Sequence, residues 1–150
     1  MRFISRTPVR AFILYPIIAA LWEFLINGRV LEVFPLYAPL MLWGYLQYHL
    51  CGRYRSHHGG GGPGLEPAPE RLVASGPYAY TRNPMYLGHL IFLTGLTLTL
   101  KSWLAAMITA GVAIWFHRRV LSDEKELAQT LGQSYVEYTQ SVKRWIPGLF

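Results

Sequence analysis

Charge is what this chain has least of. Only 15% of its 150 residues are Asp, Glu, Lys or Arg, where a soluble domain carries about a quarter. The deficit is concentrated: Val33 to Leu50 holds no formal charge, and from Met85 to Phe116 the only one is Lys101. Blocks of this kind suit the hydrocarbon core of a bilayer and exclude an ordinary water-soluble domain. Cysteine is nearly absent as well. Cys51 stands alone, so no disulfide framework can form within the chain, which fits a reducing compartment, and a lone Cys usually behaves as a small hydrophobe rather than a nucleophile. No Gly-Lys-Ser/Thr phosphate loop occurs. The run Gly59-Gly60-Gly61-Gly62-Pro63-Gly64 formally satisfies GxGxxG, but it follows an apolar block instead of a strand and leads into Leu65-Glu66-Pro67-Ala68-Pro69. It reads as a flexible linker. His57 and His58 are adjacent, diverge by about 100° on a helix and have no Cys or carboxylate at ligand spacing, so no metal site is expected.

What the chain does have is apolar length. The first block, Val9 to Ile26, carries Arg10 and Glu23 and has Pro16 inside it. Basic residues precede it as in a secretory signal, but no small-x-small site follows Leu25-Ile26-Asn27-Gly28-Arg29, so a Pro-kinked span is expected. Asn27 to Glu32 makes a short turn into the second block. Met85 to Phe116 is too long for one crossing, which needs roughly 20 residues, and divides at Lys101-Ser102. The expected fold is all-α: a polytopic membrane protein of one domain over 1–150, with about four transmembrane helices (9–26, 33–50, 84–100 and 103–121). A cytoplasmic loop over 51–83 and a C-terminal cytoplasmic amphipathic helix over 123–142 complete it. For that last helix Asp123 and Glu126 have capping-box spacing, and Leu127, Leu131, Tyr135 and Tyr138 form one apolar face that ends before Pro147.

Charge orients this bundle. With both termini cytoplasmic, every Lys and Arg except Arg29 and Lys101 falls on the cytoplasmic side, as the positive-inside rule requires. The net charge of +6 is then accounted for by topology and by attraction to anionic membrane lipids, with no nucleic-acid partner needed. The oligomeric state is left open. Glu23 can reach the outer interface and is read as structural. His49, His89 and His117 each fall in or at the end of an apolar block, where intramembrane ionisable groups are functional candidates. Two of them could ligate haem, making a haem-binding membrane protein the alternative of another class; a neutral His hydrogen-bonded inside the bundle is the plainer reading.

The segment Gly76-Pro77-Tyr78-Ala79-Tyr80-Thr81-Arg82-Asn83-Pro84-Met85-Tyr86-Leu87-Gly88 is polar, aromatic and turn-rich, and runs directly into an apolar block. Taken alone it suits a helix entry at headgroup level. Taken with the segment beyond the helical pair, it resembles the membrane methyltransferases related to isoprenylcysteine carboxyl methyltransferase and phospholipid methyltransferase. That family carries Gly-x-Tyr-x-x-x-Arg-His-Pro-x-Tyr-x-Gly, a helical pair, an acidic pair, Gly-x-x-Tyr-x-x-Tyr and a closing Val-x-x-x-Ile-Pro. Here these are Gly76, Tyr78, Arg82, Pro84, Tyr86 and Gly88, then Asp123-Glu124, Gly132, Tyr135, Tyr138, Val142 and Ile146-Pro147. Two positions depart: the family's His is Asn83, which cannot titrate, and the first of its paired glutamates is Asp123.

The resemblance implies an S-adenosylmethionine-dependent methyltransferase with a lipophilic small-molecule or lipid acceptor, most like isoprenylcysteine carboxyl O-methylation. Phospholipid or small-molecule N- or S-methylation is the alternative, and a non-catalytic family member a further one. It also implies that Glu70, Arg71, Leu72, Val73, Tyr78, Arg82, Asn83, Pro84, Met85, Tyr86, Asp123 and Glu124 line the cofactor pocket. Arg119, Asn83 and Glu124 are the catalytic candidates, with Arg119 orienting a carboxylate acceptor, and no metal takes part.

Overall fold

The computed structural model describes residues 6–61 and 69–146. The later part of the glycine-rich run and Pro147 of the closing motif lie outside the described residues. Among the described residues the chain is helical, without strands. Helix α1 is Thr7–Ile26, α2 Ala38–Gly59, α3 Pro84–Leu100, α4 Trp103–Leu131 and α5 Gln133–Ser141. Two of these, α1 and α4, are long and apolar enough to cross a membrane, and α3 is a shorter apolar helix.

Four boundaries differ from those the sequence predicts, each for a local reason. Within α1, Arg10–Leu14 is a π-turn immediately before Tyr15–Ile26. Pro16 has no N–H to donate and its ring crowds the carbonyl four residues back, and a wider turn relieves both. The second helix begins later than expected, after a 3₁₀ turn over Pro35–Tyr37. It also continues through Cys51 to Gly59, so the first residues of the expected loop are helical. No Pro or interior Gly pair interrupts that stretch; the helix stops where Gly60 and Gly61 adopt φ +72° and +70°, the left-handed conformation that ends helices. At the other end of the chain, α4 passes through Asp123 without a break, so Asp123 caps no separate helix over 123–142. The interruption comes at Gly132, φ +63°, and Tyr135 and Tyr138 belong to the short α5 instead of a face shared with Leu127 and Leu131.

Contacts sort the chain into two compact units, 1–46 with 88–114, and 47–87 with 115–150. In the first, α2 and α3 touch backbone to backbone. A Cβ on Gly44 would collide with the Gly88 carbonyl and the Phe92 backbone, and one on Gly95 would lie 2.8 Å from the Met41 nitrogen. Small residues at such crossings are how helices pack when no water is available to drive them together. The Phe12 ring pins α1, edge-on to Tyr45 and Phe92 at 5.2 and 4.9 Å and stacked on buried His89 at 4.8 Å. The turn predicted at Lys101-Ser102 is present: α3 ends at Leu100, and Ser102 Oγ accepts the Ala105 N–H at 3.1 Å to cap α4.

In the second unit, the Gly59 carbonyl accepts N–H bonds from Glu70 and Arg71 at 2.8 and 3.0 Å. Val73 and Tyr78 then pack on Cys51, flanked by Tyr54 and Met85. Gly76, at φ +57°, permits this: a Cβ there would lie 2.7 Å from the Tyr54 ring. Gln47 Nε2 donates to the Pro84 carbonyl at 2.9 Å, tying α2 to the first turn of α3.

Candidate active site

Every residue singled out from the sequence for cofactor binding or catalysis falls in the second unit, 47–87 with 115–150. They sort into an apolar wall, a carboxylate pair on α4 and a latch. The wall is the Cys51, Val73, Tyr78 cluster with Met85 against it. Glu70 and Arg71 are exposed and Leu72 is half-buried, so of that predicted run only Val73 reaches the cluster core. Burial pushes the Cys51 thiol up to about 11, which leaves no thiolate for nucleophilic work near neutral pH.

The carboxylates of α4 have different surroundings. Asp123 is buried and takes the Tyr86 hydroxyl on Oδ2 at 2.8 Å, while Arg119 Nε lies 3.4 Å from its other oxygen. The Tyr86 ring is held against buried Phe116, centroids 4.7 Å apart. Arg119, one helical turn earlier, keeps 46% of its side chain exposed, so it pairs with Asp123 and still faces outward. Glu124 lies between two guanidinium groups. Arg144 approaches it in a fork, Nε at 3.1 Å from both oxygens and Nη2 at 2.8 Å from Oε2. Arg82 Nη2 stands 3.2 Å from Oε1. A carboxylate so engaged is held in a fixed orientation by charge-assisted hydrogen bonds.

Arg82 is itself 9% exposed. Its Nη1 donates to the Thr139 carbonyl at 3.0 Å, and its Nε is buried with no hydrogen-bond partner among the described residues. Asn83 does not face the carboxylates. Its Nδ2 donates to the Arg144 carbonyl at 3.2 Å, and its own carbonyl accepts the Leu87 N–H at 3.0 Å to start α3. Tyr138 donates to the Tyr78 carbonyl at 2.6 Å, and Tyr78 to the Cys51 carbonyl at 3.4 Å. Burial, chiefly, raises the phenols of Tyr78, Tyr138 and Tyr135, the last to about 12, where Glu124 adds to the effect and Arg82 and Arg144 oppose it. For Arg144 the Glu124 hydrogen bonds lead in raising its pKa.

Sequence reasoning missed Arg144, Thr81 and Thr139. Arg144 stands twenty positions from Glu124 in a stretch without helical period, so no spacing argument reaches it; its only signal was a basic residue between Val142 and Ile146 of the closing motif. Of the three histidines considered for haem, His49 lies edge-on to Tyr48, ring centroids 5.2 Å apart. His89 is buried against Phe12, and His117 Nδ1 accepts the Trp145 Nε1–H at 3.4 Å.

Residues 62–134 match the phospholipid methyltransferase family. Protein-S-isoprenylcysteine O-methyltransferase B of Arabidopsis thaliana is 37% identical over 79 residues, 51% of this chain and 40% of that protein. The protein-S-isoprenylcysteine O-methyltransferase of Schizosaccharomyces pombe is 33% identical over 78 residues, 51% of this chain and 33% of that protein. Protein-S-isoprenylcysteine O-methyltransferase A of Arabidopsis thaliana is 33% identical over 96 residues, 63% and 42% of the two chains. The matched region thus covers less than half the length of these relatives. No solved structure matches.

Proposed function

We propose, from the match of residues 62–134 to the phospholipid methyltransferase family, that this chain is an integral-membrane methyltransferase using S-adenosylmethionine to methylate a lipophilic acceptor. The favoured acceptor is the carboxylate of an isoprenylated cysteine, after the names of its relatives. The observation that carries this reading is the arrangement where the head of α3 meets α4: Asp123 tied to Tyr86, and Arg82, paired with the adjacent Glu124, with a buried Nε that has no partner among the described residues. Those groups fit the donor's polar parts. Asp123 suits an ammonium or ribose hydroxyls, Arg82 suits a carboxylate, and Val73, Tyr78 and Met85 supply an apolar wall for an adenine.

If bound there, S-adenosylmethionine would supply an electrophilic methyl on a sulfonium, and transfer to a carboxylate oxygen would exchange its C–S bond for a C–O bond, giving an ester and a thioether in place of two ions. No proton moves in that reaction. This favours a carboxyl acceptor, because an amine or thiol must shed a proton to a base, and both carboxylates of the acidic pair are already engaged, Asp123 by Tyr86 and Arg119 and Glu124 by two arginines. The chain's own tasks are then to align, to keep water out and to hold the acceptor's charge. Arg119, outward-facing and steadied by Asp123, is placed for the last of these. We place the site at the cytoplasmic interface, with four crossings and both termini on that side, from the distribution of Lys and Arg. Calorimetry on the purified protein in detergent tests the premise. A micromolar dissociation constant for S-adenosylmethionine or its demethylated product, about 8 kcal/mol, is expected, and no heat and no thermal stabilisation at millimolar cofactor would remove the reading.

A further inference from the structure

The segment after α5 returns to the loop ahead of α3 and is tied to three consecutive residues of it. The Arg82 N–H donates to the Lys143 carbonyl at 3.0 Å. Thr81 Oγ1 and Asn83 Nδ2 both donate to the Arg144 carbonyl, at 3.0 and 3.2 Å. Thr81, buried, also accepts the Asn83 N–H on the same oxygen at 3.3 Å. Arg144 is therefore held at both ends: its carbonyl by Thr81 and Asn83, its guanidinium by Glu124. A backbone carbonyl fixed by two donors fixes the Cα beside it and, with it, the direction in which a long side chain can reach. The geometry points to Asn83 as a positioning residue: its amide latches residues 142–146 and so aims Arg144 at Glu124, and its task is to donate one hydrogen bond rather than to carry a proton.

This explains how Asn can stand where the family pattern has His. An imidazole donates from a ring nitrogen whether neutral or protonated, and an amide donates at every pH. The consequence for turnover rests on the methyltransferase reading, while the latch itself does not.

The test uses the full chain in detergent micelles without ligand. Trypsin cuts after Lys143 and Arg144 only when residues 142–146 lift away, and cutting after Lys125 on α4 serves as the internal control. Asn83→Asp, which loses the donor and sets a carboxylate against a carbonyl, is expected to speed cleavage at Lys143 and Arg144 at least tenfold over the control site. Asn83→His is expected to stay within twofold. Should Asn83→Asp fail to fold, Thr81→Val, which removes the other donor to the same carbonyl, is expected to speed the same cleavage several-fold. The second readout is the pH profile of methylation: with Asn83→His it gains no new limb between pH 5 and 8. Unchanged cleavage in both Asn83→Asp and Thr81→Val overturns the latch, and so does a new limb near pH 6.5 in Asn83→His. Absence of turnover in the unaltered protein counts against the methyltransferase reading, and the cleavage rates then decide the latch alone.

Discussion

The two compact units are built on opposite principles. The unit of 1–46 with 88–114 is held by shape: glycines that let α2 and α3 touch, a phenylalanine among three rings, and threonine hydroxyls such as Thr109 Oγ1, which donates back to the Ala105 carbonyl at 2.7 Å. The unit of 47–87 with 115–150 is held by directed polar bonds: Glu124 between Arg82 and Arg144, Tyr86 on Asp123, Tyr138 on the Tyr78 carbonyl. Apolar packing is indifferent to which residue supplies the volume, whereas a hydrogen-bonded charge cluster depends on particular atoms. The first unit is therefore expected to tolerate exchange of side chains so long as its close crossings stay open. The second is expected to fail on single-atom changes.

The strongest way to break that contrast is at Glu124. Glu124→Gln keeps the shape and removes the charge, leaving two guanidiniums facing each other across a mostly buried site. The expected loss is about 3 kcal/mol of stability, together with loss of S-adenosylmethionine binding, read by thermal unfolding and calorimetry. An isosteric change of one atom pair that cost nothing would mean the cluster is not what holds this unit.

Alkali attacks the same unit through its tyrosines. Because burial raises Tyr135 from its ordinary value near 10 to about 12, the neutral phenol is the folded form. Its contribution is whole below pH 10 and is lost as pH climbs from 10 towards 12. For Tyr135 alone the two-unit shift corresponds to about 2–3 kcal/mol, and the raised phenols of Tyr78 and Tyr138 act in the same direction. Tyrosinate absorbance followed beside ellipticity should show ionisation and loss of structure together. Ionisation of all tyrosines near pH 10 with helicity intact would contradict it.

How much of this was legible in the sequence divides along the same line. The helical hairpin at Lys101-Ser102 could be read because a polar pair interrupts a long apolar run, and the Gly76–Gly88 segment because its glycines, prolines and tyrosines sit at fixed spacings. The boundary of α4 could not. Asp123 and Glu126 make a correct capping pattern, yet both lie mid-helix, since Asp123 is engaged by Tyr86 and Arg119 instead of by backbone N–H groups. The close crossings at Gly44 and Gly95 show only once α2 and α3 are side by side, and Arg144 only once the chain after α5 has returned. Periodicity reports local structure and which face is apolar; it carries nothing about two atoms brought together by a turn at Gly132.

Gly44→Ala sharpens the other side of the comparison. One methyl group, harmless in most helices, would meet the Gly88 carbonyl and Phe92 backbone, and overpacking of this sort costs about 2 kcal/mol. The ion cluster of the second unit has no part in it. Thermal unfolding in detergent should show the loss, while trypsin cleavage after Lys143 and Arg144 at low temperature stays as in the unaltered protein. A variant as stable as the parent would show that α2 can shift and that shape is a weaker constraint than the crossing suggests.

The finest distinction lies at Arg119, which is exposed enough to be an ordinary surface partner of Asp123 four residues on. Such a pair contributes about 0.3–0.5 kcal/mol, and nothing in that role asks for a guanidinium over an ammonium. Holding an acceptor carboxylate does, because the planar fork offers two parallel donors where Lys offers a point charge. Arg119→Lys is therefore expected to lower kcat/KM for an isoprenylated cysteine at least tenfold, about 1.4 kcal/mol of transition-state stabilisation, with cofactor affinity nearly unchanged. Steady-state kinetics beside calorimetry separates the two roles. An unchanged rate leaves Arg119 as a helix-surface pair, and a loss confined to cofactor binding assigns its effect to Asp123; in either case Arg119 does not hold an acceptor carboxylate.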